Sequence, residues 1–135
     1  MGYRYNTHAW PVVHFEFIGR LSADEIDQYL AHADALVAGG QPYATVMDGT
    51  HMLVPEAEFV RKQSIWIRDH TADMRRLNRG IAFVARSTLV RGLVRAVMHF
   101  QDMPVSYEWF ASLDEAMTWA ASRANSQPSK RPVLT

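Results

Sequence analysis

Four times along the chain, a short apolar run is followed by an amphipathic stretch with helical spacing. Short apolar runs bounded by turn-forming residues are typical of buried strands, and the stretches between them are typical of helices. Strands that alternate with helices predict a sheet covered by helices, which is the α/β class. The predicted core strands are residues 12–19, 43–47, 80–85 and 105–110, and a strand at 3–8 with a turn at Ala9-Trp10-Pro11 adds an N-terminal hairpin.

Local signals mark where the helices begin and end. Ser22 with Glu25, and Ser112 with Glu115, have the spacing of a capping box, in which the serine hydroxyl accepts from the glutamate amide and the glutamate reaches back. Gly39-Gly40 is expected to end the first helix, because glycine adopts the left-handed conformation of a helix C-cap without steric strain.

The middle of the chain predicts two further helices. Asp48-Gly49-Thr50 is expected to end the strand at 43–47, since these residues favour turns. Val54-Pro55-Glu56 then opens a helix that continues to Leu77, because proline is favoured at the first helical position. Ser87 is expected to cap the next helix. About four helices therefore flank the sheet.

The length suits one domain, which we place at residues 1–124. Apolar residues make up 48% of the chain and charged residues 21%, as in globular proteins. From Asn125 onward the chain holds mainly Ser, Pro, Lys and Arg, so residues 125–135 are predicted to form a disordered tail.

Several kinds of active site lack their sequence signature. There is no cysteine, which excludes disulfides, thiolate metal sites and cysteine nucleophiles. The chain also has no Gly-x-Ser-x-Gly elbow, no phosphate-binding glycine loop and no His-Glu-x-x-His motif. We therefore predict no catalytic residue, no metal site and no cofactor. No apolar run has the length of a signal peptide or a transmembrane segment, so we expect a cytoplasmic protein.

Charge is balanced overall but unevenly distributed. Fourteen basic and fourteen acidic residues cancel, which gives no reason to expect nucleic-acid binding. Residues 1–60 hold eight acids and two arginines, whereas residues 61–101 hold nine bases and two acids. The basic stretch is expected either to attract an anion or an acidic partner, or to form ion pairs within the molecule.

If a polar ligand binds, the ends of two core strands are the expected place. Asp48 and Thr50 follow one predicted strand, whereas Arg86 follows another and Ser87 opens the next helix. Ligands of open α/β sheets gather where strands end and helices begin. The candidate ligand-binding residues are Asp48, Thr50, Arg86, Ser87 and Arg91.

The aromatic residues support two expectations. Trp66, Trp109 and Trp119 fall at core-like positions of their predicted elements. Tyr3, Tyr5 and Trp10 lie in the N-terminal hairpin, where exposed aromatic rings would suit a protein interface. The hairpin therefore suggests a homodimer.

The order of segments resembles a known family. Four segments carry the resemblance. The first is a strand that ends in Gly19 and is followed by Leu21-Ser22-x-x-Glu25, and the second is the strand Ala44–Met47 ending in Asp48. The third is the strand Ile81–Ala85 before an amphipathic helix, and the fourth is Trp109-Phe110 followed by Leu113-Asp114-Glu115-Ala116-Met117-Thr118-Trp119. Together they resemble the SpoIIAA-like branch of the STAS fold, named for anti-sigma-factor antagonists, over residues 12–121.

This resemblance implies a mixed sheet of four or five strands and a non-enzymatic role. Antagonists of the family carry a phosphorylatable serine in an Asp-Ser pair after the strand that corresponds to the one ending in Asp48. Here residues 48–56 contain no serine, and Pro55-Glu56 stand where the pair would fall. We therefore expect no phosphorylation switch.

The function expected from the sequence is that of a regulatory or binding module. It would contact a protein partner, or a second copy of itself, and a small anionic or apolar ligand would gate that contact. The alternative is a small-molecule or lipid carrier, or a small enzyme, that uses a cavity between sheet and helices. A pocket with converging polar groups would favour the alternative.

Overall fold

Five strands form one mixed sheet whose spatial order follows the order of the chain. A computed structural model describes residues 2–53, 57–100 and 102–125, without the side chains of residues 89, 90, 93, 99 and 100. The strands are β1 (Tyr3–Asn6), β2 (Val12–Gly19), β3 (Tyr43–Met52), β4 (Asn78–Val84) and β5 (Tyr107–Phe110). The described helices are α1 (Ala23–Gly39), α2 (Ala57–Asp69), α3 (Thr71–Leu77), α4 (Thr88–Phe100) and α5 (Leu113–Ala124).

Strand direction explains how the helices are arranged. β1 is antiparallel to β2, and the other neighbouring strands are parallel. Each parallel connection moves to the next strand in the same direction, so right-handed crossovers place their helices on one face. Helices α1 to α4 lie over this face, whereas α5 covers the other. The α/β class with a mixed sheet is confirmed, and the described residues form five helices where about four were expected.

The face under α5 is built from small residues. Ala116 and Ala120 of α5 are fully buried, as are Ala44 and Ala82 of the central strands. Because these side chains are short, α5 lies directly on β3 and β4. The cluster on this face consists of Val12, Ala44, Val46, Ala82, Val84, Ala116 and Ala120.

The opposite face is built from aromatic rings. The rings of Phe15 and Phe17 each meet Tyr29 of α1 edge-on, with centroids 5.2 Å apart. Tyr29 in turn meets Phe59 of α2 edge-on at 6.0 Å. Edge-to-face contacts of this kind add stability beyond the area that they bury, so the rings join α1 and α2 to the sheet.

The hairpin aromatics are less exposed than expected. Tyr3 is only 9% exposed and packs between Phe15 and Phe17. Tyr5 is half-buried and stacks on His32 of α1, with ring centroids 4.1 Å apart. Trp10 alone of the three is exposed, at 48%. The expected exposed aromatic cluster is therefore wrong for Tyr3 and Tyr5, although a homodimer stays a prediction.

The first capping box forms as predicted. Ser22 Oγ accepts from the Glu25 amide at 3.1 Å, and Glu25 Oε1 accepts from the Ser22 amide at 2.9 Å. Glu25 Oε2 also accepts from the Gly2 amide at 2.7 Å, which fastens the start of β1 to α1. At α5, Ser112 Oγ accepts from the Glu115 amide at 3.2 Å, but the Glu115 carboxylate bonds to the hydroxyl rather than to the Ser112 amide.

The expected end of the third strand is wrong. Asp48-Gly49-Thr50 does not interrupt β3, which continues to Met52. A bulge between Glu16 and Ile18 adjusts the register, so that Gly19 still pairs with Met52. The bulge allows β2 and β3 to stay paired beyond a segment whose composition favours a turn.

The long helix expected up to Leu77 is two helices. It breaks at His70, where Thr71 Oγ1 donates to the carbonyl of Ile67 at 2.7 Å and His70 Nδ1 lies 2.8 Å from the carbonyl of Trp66. Side chains that compete for backbone carbonyls weaken the helical ladder. The predicted helix start at Val54-Pro55-Glu56 lies outside the described residues.

Four other strand ends differ from the expectation. β1 stops at Asn6, β4 begins at Asn78 and ends at Val84 rather than running from 80 to 85, and β5 begins at Tyr107 rather than at Val105. The tail expected at 125–135 lies outside the described residues from 126 onward.

The close approach of α5 to the sheet can be tested by a substitution at Gly80. A Cβ atom at Gly80 of β4 would lie 2.9 Å from Cη2 of Trp119, whose ring also contacts Phe110. We expect Gly80→Ala to lower the free energy of unfolding by about 1–3 kcal/mol, as overpacked cores do. Urea unfolding followed by circular dichroism measures the change.

Gly39→Ala is the matched control. A Cβ atom at Gly39, the last residue of α1, would meet nothing within 4 Å. This variant should be neutral or stabilised by up to about 1 kcal/mol, since alanine favours helix. If both variants lose the same free energy of unfolding, α5 does not approach the sheet as closely as the structure shows.

Candidate functional site

An apolar cavity of about 100 Å³ lies between the aromatic face of the sheet and the helices above it. A single water needs roughly 10–15 Å³, so the space is large enough for a small molecule. Phe83 of β4 and Trp109 of β5 contribute to its floor, while Phe59 of α2 and Val97 of α4 contribute to its walls. Its other aromatic and methionine neighbours are Phe15, Phe17, Tyr29, Tyr43, Met47, Met52, Trp66, Met74 and Met103.

The side-chain polar groups that line the cavity are paired with one another or with neighbouring groups. Tyr29 donates to Oε1 of Gln63. Burial raises the pKa of the Tyr29 phenol far above its ordinary value, so the group stays a donor. Asn78 Nδ2 donates to Thr45 Oγ1 at 3.1 Å, and Trp66 Nε1 donates to a carboxylate oxygen of α1 at 2.7 Å. The interior therefore suits an apolar guest.

The outer wall of the cavity is formed by two helices that pack chiefly on each other. α4 contacts α2 more than it contacts the sheet, whereas α5 on the opposite face lies directly against β3 and β4. A molecule in the cavity would touch both the sheet and this outer pair.

The five residues predicted from the sequence lie in two places. Asp48 is on the α5 side of the sheet, since it follows Ala44 and Val46 with the two-residue period of a strand. Asp48 and Thr50 hydrogen-bond each other there. Arg86 and Ser87 directly precede α4, a helix of the opposite face, and Arg91 lies in its first turn. Because the strand order never reverses, this edge has no switch point of the usual ligand-binding kind. Ligand binding by the five residues stays a prediction.

Asp48 is the centre of a polar link between strands. Its Oδ1 accepts from the Thr50 hydroxyl at 2.6 Å and from the Thr50 amide at 3.1 Å. His14 Nε2 lies 3.5 Å from its Oδ2, while the Asn6 amide nitrogen lies 3.4 Å from His14 Nδ1. Since that amide nitrogen can only donate, the neutral ring carries its proton on Nε2, towards Asp48.

This arrangement is not that of an activated nucleophile. A hydroxyl nucleophile needs a base beside it, but the Thr50 hydroxyl donates to Asp48 and the imidazole contacts the far oxygen of the same carboxylate. Burial by itself raises the pKa of Asp48, yet the contacts from His14 and Thr50 outweigh it and hold the pKa below its ordinary value. The carboxylate is therefore ionised at neutral pH and joins β1, β2 and β3.

Arg91 is a member of the predicted set whose side chain contacts residues at the cavity. Its guanidinium lies over the ring of Trp109, 5.3 Å from the centroid, and its Nη2 donates to the carbonyl of Ala85 at 3.4 Å. Both neighbours line the cavity. Its Nε is buried and has no hydrogen-bond partner within the described ranges.

Much of the basic stretch forms ion pairs inside the molecule. Lys62 of α2 pairs with Asp27 of α1 at 2.9 Å. Arg61, Arg68 and Arg76 pair with acids on their own helices. By contrast, Arg86, Arg91 and Arg95 make no ion pair with any carboxylate in the part of the chain that the structure describes. The cationic residues without ion pairs thus include three at or on α4.

Sequence reasoning missed the residues that line the cavity. A signal exists in the alternation of side-chain size along the central strands. In β4, the small residue Ala82 faces α5 while Ile81 and Phe83 face the cavity. In β3, Ala44 faces α5 while Met47 faces the cavity. The alternation identifies the two faces, but not the distance at which the helices stand from them.

Two kinds of feature are absent from the described residues. No three side chains among histidine, aspartate and glutamate converge there in a way that would hold a metal ion. None of the helices in the described ranges has both the length and the apolarity to cross a bilayer.

Replacement of Asp48 tests the polar link. We expect Asp48→Asn to be less stable than the wild type at pH 7 by about 1–3 kcal/mol, because hydrogen bonds to a buried charge are lost. The pKa of Asp48 is lowered by folding, so its stabilising effect is present above pH about 4 and is lost as the pH falls through the lowered value. The difference between the two proteins should therefore shrink at pH about 2–3.

Urea unfolding at both pH values measures this difference. Asp24→Asn, at an exposed carboxylate in the first turn of α1, is the control and should change stability by less than about 0.5 kcal/mol. If Asp48→Asn lowers the free energy of unfolding equally at both pH values, the polar link does not depend on the charge of Asp48.

Comparison with known proteins identifies the fold and the family. An uncharacterized DUF3478 protein with a SpoIIAA-like fold from Shewanella loihica PV-4 superposes with a TM-score of 0.64 at 15% identity, over 87% of this chain and 91% of that one. An anti-sigma factor antagonist from Mycobacterium paratuberculosis gives 0.54 at 18% identity, over 88% and 92%. No curated protein matches the sequence. The SpoIIAA-like family matches residues 12–121. The chain, most of which this match covers, therefore belongs to the SpoIIAA-like family, as its order of segments predicted.

Proposed function

We propose that this protein is a non-catalytic binding module that takes up a small apolar ligand in its cavity and contacts a protein partner through the helices above it. The observation that carries the proposal is the apolar cavity between the sheet and α2 and α4. Burial of apolar surface supplies about 25 cal/mol per Å². An apolar molecule would gain this free energy on entering.

The cavity walls favour a binding role over a catalytic one. An enzyme site needs polar groups that converge on a reacting atom. Here the side-chain polar groups at the cavity, such as Gln63 and Asn78, are engaged with other protein groups. They leave an apolar space in which a ligand is held by contact and by exclusion of water.

The protein-contact half of the proposal is supported by fold and by position. The anti-sigma factor antagonist with the same fold acts, as its name says, on an anti-sigma factor. In this chain the ligand would touch α2 and α4, which also present their outer faces to solvent. A ligand that binds one position of these helices more tightly than another would shift the equilibrium between the two positions. A protein contact made by these helices would then depend on the ligand.

A carrier is the second candidate, because the same cavity would serve it. A carrier needs uptake and release of the ligand but no partner whose binding responds to it. Homodimerisation and a cytoplasmic location stay predictions of the sequence.

A neutral fluorescent probe tests ligand uptake. N-phenyl-1-naphthylamine should bind with a saturable rise in fluorescence. Val97 is buried on the cavity wall, so Val97→Phe should fill part of the space and weaken binding by about tenfold or more, a loss of about 1.4 kcal/mol.

Val12→Phe is the matched control, since Val12 is buried on the opposite face of the sheet, under α5, and does not line the cavity. It should bind the probe within about twofold of the wild type, because the cavity is unchanged. Melting followed by circular dichroism shows that both variants are folded. No saturable binding to the wild type, or an equal loss in both variants, would overturn the proposal.

Hydrogen exchange tests whether the ligand acts on the outer helices. With the neutral probe bound, amides of α2 and α4 should exchange more slowly, since a filled cavity reduces local opening. α5 lies directly on the opposite face and should change little. Equal protection of all the helices, or none, would speak against gating through α2 and α4.

A further inference from the structure

We infer that the cavity's ligand is an amphipathic monocarboxylate whose apolar body lies inside and whose carboxylate pairs with Arg91 at the rim. This inference rests on the proposed function and adds the chemical class of its ligand. It also assigns a binding role to one side chain.

The interior of the cavity offers little for a charged head group to bind. Of its polar side chains, Tyr29 is paired with Gln63, and Asn78 with Thr45. A charge buried among the remaining apolar walls would lose its hydration without compensation. Any ionic group on the ligand must therefore lie at the rim.

Arg91 is placed at that rim by its contacts. Its guanidinium lies over Trp109 at 5.3 Å and reaches the carbonyl of Ala85 at 3.4 Å, and both of these residues line the cavity. Arg91 is also one helical turn before Val94, which lines the cavity from α4. Residues three apart share a helix face, so the arginine continues the cavity-facing stripe of α4.

Arg91 is an incompletely satisfied cation. Its Nε is buried without a hydrogen-bond partner, and it forms no ion pair with a carboxylate in the described residues. Arginine cannot lose its charge in a protein. An anion at the rim would supply the missing acceptor and the missing countercharge.

The shape of the donor favours a carboxylate. Guanidinium presents Nε and Nη in a planar fork that matches the two oxygens of a carboxylate. Arg86 is turned elsewhere, since its Nε donates to the carbonyl of Ala111 at 3.3 Å, so Arg91 is the arginine that these contacts place at the rim. A single arginine suits a single negative charge.

The other buried polar atom without a hydrogen-bond partner is explained differently. His14 Nε2 lies on the α5 side of the sheet and faces the Asp48 carboxylate at 3.5 Å. It does not border the cavity. Among the described residues, the unsatisfied donor near the cavity is thus the one on Arg91.

A pair of ligands that differ only in the head group tests the inference. Decanoate and decanol are titrated against protein that holds the neutral probe N-phenyl-1-naphthylamine, at pH 8. In the wild type, decanoate should displace the probe at about tenfold lower concentration than decanol, as expected for hydrogen bonds to a charged group. Arg91→Met should remove this preference and leave the affinity for decanol unchanged.

Two variants complete the design. Arg95→Met removes a charge from an exposed position one turn along α4 and should keep the preference for decanoate. Arg91→Lys keeps the charge but loses the fork and should retain part of the preference, which also gives a readout if Arg91→Met does not fold.

The outcomes separate this inference from the proposed function. If the probe and decanol bind, but decanoate binds no better than decanol or Arg91→Met keeps the preference, the inference is wrong and the proposed function stands. If neither the probe nor decanol binds, the proposed function fails and the inference with it. Co-sedimentation with phosphatidylglycerol vesicles, together with no displacement by decanoate, would assign Arg91 to a membrane head group and overturn the inference for a free carboxylate.

Discussion

Each crossover connection moves one strand further in the same direction, and the arrangement of the molecule depends on this constraint. Right-handed crossovers in a sheet of this order place α1 to α4 on one face. The last helix, α5, follows the edge strand and covers the face left open. The two faces therefore differ in kind, since in the part of the chain that the structure describes one is covered by four helices in sequence and the other by a single helix.

The sizes of the side chains on these faces explain why the cavity lies on only one side. On the α5 side, Ala82 faces Ala116 and Ala120, so the helix lies against the strands and fills the space. On the other side, large rings such as Phe83 and Trp109 rise from the sheet. The helices above them rest partly on one another, and a gap remains between the rings and the outer pair α2 and α4.

Charge is unevenly distributed within the layer of helices on the cavity face. The acids of α1 and the bases of α2 meet in the fold, as in the pair of Asp27 with Lys62. Asp34 of α1 likewise holds the stacked pair of Trp66 and His70. An exposed pair of this kind adds little stability, but several together orient α2 against α1. By contrast, Arg86, Arg91 and Arg95 at and on α4 form no ion pair with a carboxylate in the described residues.

Local patterns in the sequence were sufficient for the order of elements, the α/β class, the first capping box and the family, because each depends on neighbouring residues. Ser22 and Glu25 are three residues apart, and their hydrogen bonds can be foreseen from that spacing. The strand through Asp48-Gly49-Thr50 and the break at His70 were not foreseen, because pairing with β2 and side-chain bonds to Trp66 and Ile67 decided them.

The candidate site was foreseen only in part. Arg91 was named from its place after a strand, but its contact with Trp109 joins two segments that are distant in the chain. Tertiary structure alone carried β3 past Asp48 and opened the cavity, since both depend on which elements pack together and at what distance.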